Sequence, residues 1–197
     1  MSFMKPFILT ISGGPRKDGC SAELLRRFTA GFSARFAHYD AYEKNYAPCT
    51  DCRSCREFEG CAIGDMDGFF ADFEACDGII IASPVYNMSF PAPMKAIIDR
   101  MQRYYSARFF LHKRPPIAKY RPVALLLSAG SKEEDGVLAA QQLKKIFTVT
   151  NCELLCQVTL NDTDKNGSIS DIETEIAAKA AYYADSTGTI TLSSHNS

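Results

Sequence analysis

The stretch GIIIASPVYNMSFPAPMKAIIDR, residues 78–100, changes its period halfway along. Gly78–Ala82 is an unbroken apolar run with three consecutive isoleucines, which is how a strand buried on both faces reads. Beyond the loop that follows, apolar residues fall at helical spacing: Met94, Ile97, Ile98 and Met101, with Asp99, Arg100 and Arg103 expected to face water. A strand that needs cover on both faces and runs into an amphipathic helix is half of a parallel β-α-β unit.

Working outward, the alternation repeats. Phe7–Ile11 is a second buried strand, followed by a helix marked by Leu24, Leu25, Phe28 and Phe32. Another strand is expected over Arg35–Asp40, a short helix over 67–76, and a strand over Val123–Leu127 with Ala139, Leu143, Ile146 and Phe147 marking its helix. Leu154–Leu160 is the fifth strand, and Ile172, Ile176 and Ala180 line the last helix. Five strands each followed by a helix predict an α/β domain with a parallel sheet covered on both faces, over residues 1–184. The polar segment DSTGTITLSSHNS, 185–197, reads as a loosely held tail. Such sheets bind ligands beyond the carboxyl ends of their strands, where the strand order reverses. The loops after strands one, three and four are therefore the places where chemistry is expected.

Composition narrows the partners. The chain has 197 residues, an apolar share of 46% and a net charge of −1, which argues against disorder and against general affinity for nucleic acid. No apolar run approaches the ~18 residues of a membrane span, and MSFMKPFILTISGG is too short an apolar run for a signal peptide. A cytoplasmic protein without membrane or nucleic-acid partners is expected. In that reducing compartment, clustered cysteines bind metal or do redox chemistry more often than they form disulfides.

The loop after strand one reads SGGPRKDGCS, Ser12–Ser21. Its glycines let backbone N–H groups turn inward, the helix opening near Ser21 points its positive end at the loop, and Arg16 adds a forked donor suited to phosphate. It is neither a Walker loop nor GxGxxG. The loop after strand three begins ASPVYNMSFPAP at Ala82. Together these two loops resemble those of the flavodoxin-like NAD(P)H-dependent FMN reductases, and within them the iron–sulfur flavoproteins. Gly13-Gly14-Pro15-Arg16-Lys17-Asp18-Gly19-Cys20-Ser21 matches the family's GSPRxxGxT/S. Ser83-Pro84-Val85-Tyr86, Pro91 or Pro93, Lys95 and Ile98-Asp99-Arg100 match its SPIYxxxxPxxxKxxIDR. The likeness covers residues 7 to about 130.

The resemblance implies a doubly wound, flavodoxin-like sheet of order 2-1-3-4-5 and a flavin that carries the chemistry. Ser12, Arg16 and Ser21, with the backbone at Gly14 and Cys20, would hold the FMN phosphate. Ser83 and the Pro84–Met88 backbone (Val85, Tyr86 and Asn87 between) would line the isoalloxazine ring, and Ser128, Ala129, Gly130 and Ser131 would close its other edge. No protein side chain is implied as catalytic. Gly14 departs from the family, which often has serine there, and Cys20 stands where asparagine is frequent; a packed spectator thiol is the expectation at Cys20. A homodimer or homotetramer is implied, with NAD(P)H or a ferredoxin-like carrier as electron partner.

PCTDCRSCREFEGC, residues 48–61, spaces four cysteines C-x2-C-x2-C-x5-C. Zinc sites usually draw on two separated CxxC knuckles, and disulfides would need an oxidising compartment. A cubane cluster suits the spacing, since cysteines at i, i+3 and i+6 can curl around one face while the fourth closes from beyond Gly60. Arg53 and Arg56 would offset the charge of thiolate ligands. The spacing also fits the iron–sulfur branch, down to Gly60-Cys61 and Asp65-Met66. The expectation is that Cys49, Cys52, Cys55 and Cys61 ligate a 4Fe–4S cluster that relays electrons to FMN. The alternatives are an NAD(P)H-dependent FMN or quinone reductase whose loop holds no iron, and a calcium- or zinc-binding regulatory domain on the same scaffold.

DTDKNGSISDIE, Asp162–Glu173, formally fits an EF-hand loop. A strand precedes it where a helix is needed, and no second copy exists. Asn166-Gly167 as a turn and Ser170-x-x-Glu173 as a capping box explain the same residues, so no tight calcium site is expected. Between Arg100 and Lys132 there are eight Lys or Arg and no acid, a basic face that could meet an acidic carrier or the 2′-phosphate of NADPH. Cys76, Cys152 and Cys156 are expected to pack in the core, and the three histidines carry no assignment.

Overall fold

The computed structural model describes residues 4–130, 133–165 and 167–189. In chain order the elements are β1 (Phe7–Ser12), α1 (Cys20–Thr29), β2 (Arg35–Asp40), α2 (Ala41–Lys44), α3 (Asp67–Ala75), β3 (Gly78–Pro84), α4 (Ala92–Arg100), α5 (Gln102–Phe109), β4 (Arg121–Ser128), α6 (Glu133–Val149), β5 (Cys152–Leu160) and α7 (Glu173–Thr187). All strand pairs are parallel and the order is β2-β1-β3-β4-β5. This is the doubly wound topology the motifs imply.

The two faces follow from side-chain alternation along the strands. Leu9 and Ile11 of β1, Ile79 and Ile81 of β3, and Val123, Leu125 and Leu127 of β4 point to one face. Phe69, Phe70 and Phe73 of α3, Met94, Ile97 and Ile98 of α4, and Leu143 and Phe147 of α6 cover that side. Ile8, Ile80, Ala82, Ala124 and Leu126 point to the other face, under Leu24 and Phe28 of α1 and Ile176, Ala180 and Tyr183 of α7. Because the middle strands are covered twice, each of their fully buried aliphatic side chains contributes about 1.5–3 kcal/mol. One position has no room to spare: a Cβ at Gly78 would collide with the Tyr183 hydroxyl, which donates to Ile79 O at 3.1 Å.

β1 and β3 pair from Ile8↔Gly78 to Ser12↔Ala82, and β3 and β4 up to Pro84↔Ser128. The three strands thus end side by side, and their loops emerge next to one another.

Four expectations change. Arg100 does not face water: its side chain is fully buried, because the segment between α2 and α3 folds over that side of α4. Arg103 is largely covered as well, its guanidinium 4.4 Å from the Phe70 ring centre, whereas Asp99 is exposed and pairs with Lys95. The capping box lies two residues earlier than expected, between Ser168 and Asp171 rather than Ser170 and Glu173, since Ile169–Ile172 is a 3-10 turn that precedes α7. Asp185–Thr187 are the last residues of α7, and Thr189 is buried with its hydroxyl on Ala184 O; residues 190–197 of the expected tail lie outside the described residues.

Candidate functional site

The first loop lies flush on β3. Gly13 N donates to Ala82 O at 2.8 Å, and a Cβ at Gly13 would come within 2.7 Å of Ser83 Oγ. A Cβ at Gly14 would come within 2.7 Å of Ser21 Oγ and 3.3 Å of the Pro84 ring, so the first loop packs closely on both the start of α1 and the end of β3. α1 begins at Cys20 with Gly19 as N-cap and no side-chain cap, so its first amides face the loop uncapped. Arg16 stands beside them, its carbonyl accepting from Gly19 N.

The second loop is a tight turn. Tyr86 and Ser89 exchange both backbone hydrogen bonds, 2.9 and 3.0 Å, across Asn87 and Met88, whose φ angles are 52° and 59°. Two consecutive left-handed residues without glycine are uncommon and store strain, more at Met88 than at Asn87. α6 holds the turn: Gln142 Nε2 donates to Met88 O at 3.2 Å and Ser89 Oγ donates to Gln142 Oε1 at 3.1 Å. Gln142 gave no signal in the sequence, since it is one polar residue on the outer side of an amphipathic helix.

The third loop is braced on both sides. Val85 N donates to Ser128 O and Ala129 N to Leu160 O, both at 2.8 Å. Thr163 adds its amide and hydroxyl, both 3.1 Å from Ala129 O, and so brings the segment after β5 onto the site.

These loops enclose a pocket of about 150 Å³. Of the expected cofactor-binding residues, Gly14, Arg16, Cys20, Ser21, Pro84, Val85, Tyr86, Ser128 and Gly130 line it, together with Thr163 and Asp164. Ser83 does not reach it; its hydroxyl is buried and donates to Pro84 O at 2.9 Å. Ala129 is buried behind the loop, Asn87 and Met88 form the turn above it, and Ser131 lies outside the described residues. Ser12 faces a neighbouring groove of about 490 Å³ between α1 and β2, which shares Gly14, Arg16 and Ser21 with the pocket. Cys20 is half-buried against the α1–α7 side of the core.

The cysteine segment forms a second site. Cys49, Cys52, Cys55 and Cys61 line one cavity of about 30 Å³, with Arg53, Arg56, Arg100, Arg103 and Ser106 in its wall. No residue lines both this cavity and the pocket. Left-handed backbone at Asp51 and Arg53 (φ 49° and 64°) coils the chain around Cys52, and Gly60 at φ 139° turns it back before Cys61. Cys55 Sγ donates to Ser106 Oγ of α5 at 3.2 Å, and Arg56 sits 4.4 Å from the Phe110 ring centre. Hydrogen bonds from the Ser54 side chain and backbone lower the pKa of Cys52 and favour its thiolate.

Arg100 clamps this segment at both ends. Nη1 donates to Ala47 O and pairs with Asp65 Oδ1, both at 2.9 Å, while Nη2 donates to Ile63 O at 2.5 Å. Asp65 Oδ2 accepts from Ala47 N at 2.8 Å. The buried Nε of Arg100 has no partner. Among the described residues, no three His, Cys, Asp or Glu side chains come close enough to hold a metal ion, so the four thiols share a cavity without converging. The same holds for the Asp162–Glu173 stretch, whose Asn166 lies outside the described residues and whose Glu173 pairs with Arg27 at 2.5 Å. Cys76, Cys152 and Cys156 are buried, and burial raises all three thiols, Cys76 to about 12 and Cys156 to about 11.

Residues 6–161 match the family described as NADPH-dependent FMN reductase, and the chain belongs to that family. It is 34% identical over 137 residues to an iron-sulfur flavoprotein of Methanosarcina thermophila, covering 66% of this chain and 65% of that protein. To an iron-sulfur flavoprotein of Archaeoglobus fulgidus it is 36% identical over 100 residues, covering 48% and 44%. The chain thus spans under two thirds of the length of these curated relatives. Among solved structures, an NAD(P)H:quinone oxidoreductase from Methanothermobacter marburgensis shares the fold, with a TM-score of 0.65, 18% identity, and coverage of 91% of this chain and 96% of that one. No helix among the described residues is long and apolar enough to cross a membrane.

Proposed function

We propose, with that family membership as the premise, that the chain is an FMN-dependent oxidoreductase in which a 4Fe–4S cluster passes electrons between a carrier and the flavin. The observation that carries this is the pairing of two separate sites. One is a pocket at the carboxyl edge of β1, β3 and β4 with a single guanidinium in its wall. The other is a cavity faced by four thiols and backed by a buried one.

The pocket fits FMN on its own geometry. Gly14 and Gly130 form a cradle that any Cβ would fill, against Ser21 and Asp164 respectively. Arg16 and the uncapped amides of α1 would take the phosphate, worth about 1.5–3 kcal/mol for a charge-assisted contact. The Tyr86–Ser89 turn, fixed by Gln142, would keep Tyr86 and the Val85 backbone against the ring and hold that wall of the site in place. FMN, when bound, supplies hydride and single-electron transfer. The chain's share is to position the ring, exclude water from one face through Pro84 and Val85, and set the local charge.

The cysteine cavity fits an iron–sulfur cluster in donor chemistry. Four cysteines line it, Cys52 is biased toward thiolate, and Arg100 in its wall carries a buried Nε–H without a partner. Cys49, Cys52, Cys55 and Cys61 would be the ligands. The electron partner would be NAD(P)H or a ferredoxin-like carrier, and the chain would work as a homo-oligomer in the cytoplasm.

A second reading keeps FMN and drops the cluster, giving an NAD(P)H-dependent FMN or quinone reductase. It is favoured by one observation, that the four thiols do not converge. The visible spectrum of anaerobically purified protein separates the two. Flavin bands with broad, dithionite-bleached iron–sulfur absorbance support the cluster, flavin bands alone support the second reading, and a colourless protein that takes up no FMN refutes both.

A further inference from the structure

Asp164 belongs to a pattern that reads as calcium-binding in the sequence, yet the fold sends it elsewhere. Asp162 adopts φ 54°, and its carbonyl accepts from Lys165 N and Gly167 N, both at 2.9 Å, closing a tight turn. The adjoining Thr163 is tied twice to Ala129 O. Together these turn Asp164 back over the β4 loop, where its carboxylate packs directly on Gly130; any side chain at 130 would overlap it. The carboxylate lines the flavin pocket, and nothing among the described residues donates to it. In the pocket wall the charged residues are Arg16 and Asp164 alone.

These two sit at opposite ends. Arg16 belongs to the loop after β1, whereas Asp164 reaches the site from β5 over β4. In the order β1-β3-β4-β5 the two are separated by two to three strand spacings, roughly 10–14 Å. A ligand held by an anionic group at Arg16 therefore presents its far end to Asp164, and a carboxylate there selects a hydrogen-bond donor. For FMN, bound by its phosphate, the far end is the ring, whose one N–H in the oxidised state is the imide.

We infer that Asp164 is a specificity-determining residue of the flavin pocket, accepting the imide N–H of the ring and setting a negative charge beside it. The inference rests on the flavin reading above. A carboxylate at that end favours FMN over ligands with a second anionic group. It also opposes reduction, which adds negative charge to the ring, and so makes the bound flavin harder to reduce.

The test compares the full chain with Asp164→Asn and Asp164→Ala, titrating FMN by fluorescence quenching and measuring the bound flavin's midpoint potential against redox dyes. Asp164→Asn keeps an acceptor and removes the charge. Oxidised FMN should bind within about threefold of wild type, while the preference for reduced over oxidised flavin rises about three- to tenfold, tenfold being about 30 mV for a two-electron couple. Asp164→Ala should weaken oxidised FMN about tenfold. Identical affinity and potential in all three overturns the inference. So does weaker binding by the alanine variant with an unchanged potential, because the carboxylate would then touch the ribityl chain. Failure of wild type itself to bind FMN refutes the flavin reading and the inference with it.

Discussion

Replacing Arg100 with methionine should destabilise the protein far more than its place on an apparently solvent-facing helix edge suggests. The guanidinium is fully buried and donates to two carbonyls, Ala47 O at 2.9 Å and Ile63 O at 2.5 Å, besides pairing with Asp65. Methionine fills much of the space but leaves both carbonyls and one carboxylate oxygen without that donor. Two hydrogen bonds from a charged donor at about 1.5–3 kcal/mol each put the loss near 3–5 kcal/mol, since Asp65 is partly exposed and regains water. For a chain of this size each kcal/mol moves the melting temperature by about 2–4 °C, so a fall of roughly 6–20 °C is expected by calorimetry. Asp99→Ala, one residue away, breaks only the exposed Lys95–Asp99 pair and should cost under about 1 kcal/mol. Limited proteolysis should find new cuts between Ala47 and Asp65 in Arg100→Met, because both ends of that segment lose their clamp. A variant that melts within about 3 °C of wild type and resists protease equally would refute the clamp.

Arg16→Ala should weaken FMN at least about tenfold in an equilibrium titration, and unchanged affinity would remove Arg16 from the phosphate site. Stability should fall on the alkaline side: Cys76 is raised from 9.0 to about 12 and Cys156 from 9.0 to about 11, so above pH 9 the unfolded chain loses these protons first. Their contribution is complete below pH 9 and gone near pH 12, and Cys76→Ala should flatten the decline in melting temperature between pH 9 and 11. Millimolar calcium should leave the melting temperature within about 2 °C, since Asp162–Glu173 is spent on a turn, a cap and an ion pair; a larger rise that Glu173→Gln abolishes would contradict this.

The sheet was legible because each of its elements carries one dominant signal. The runs at Phe7–Ile11, Gly78–Ala82 and Val123–Leu127 could only be strands covered twice, and the flanking stripes named the covering helices. The residues that escaped prediction are those whose role depends on a partner far along the chain. Arg100 lies on the polar side of its own helix, and only the return of the 47–65 segment buries it. Gln142 matters because β3 ends beneath α6. Asp164 fits a metal-loop pattern by spacing, but spacing is blind to the φ of 54° at Asp162 that turns the chain onto Gly130. The Ser168–Asp171 capping box was displaced for a similar reason, a 3-10 turn inserted ahead of α7. The glycines of the first loop stand out in the sequence because flush packing of Gly13 and Gly14 on β3 needs only local geometry and one neighbouring strand.

The metal and flavin content of the chain after anaerobic reconstitution with iron, sulfide and FMN decides between a cluster-bearing flavoprotein and a flavin reductase without iron. Four cysteines facing one cavity predict close to four iron and four sulfide per chain alongside one FMN. In Cys52→Ala the iron should be lost while FMN remains near one, because no residue lines both sites. Iron near zero in wild type, with FMN fully bound, would contradict the cluster and leave a flavin reductase whose cysteine loop holds no metal.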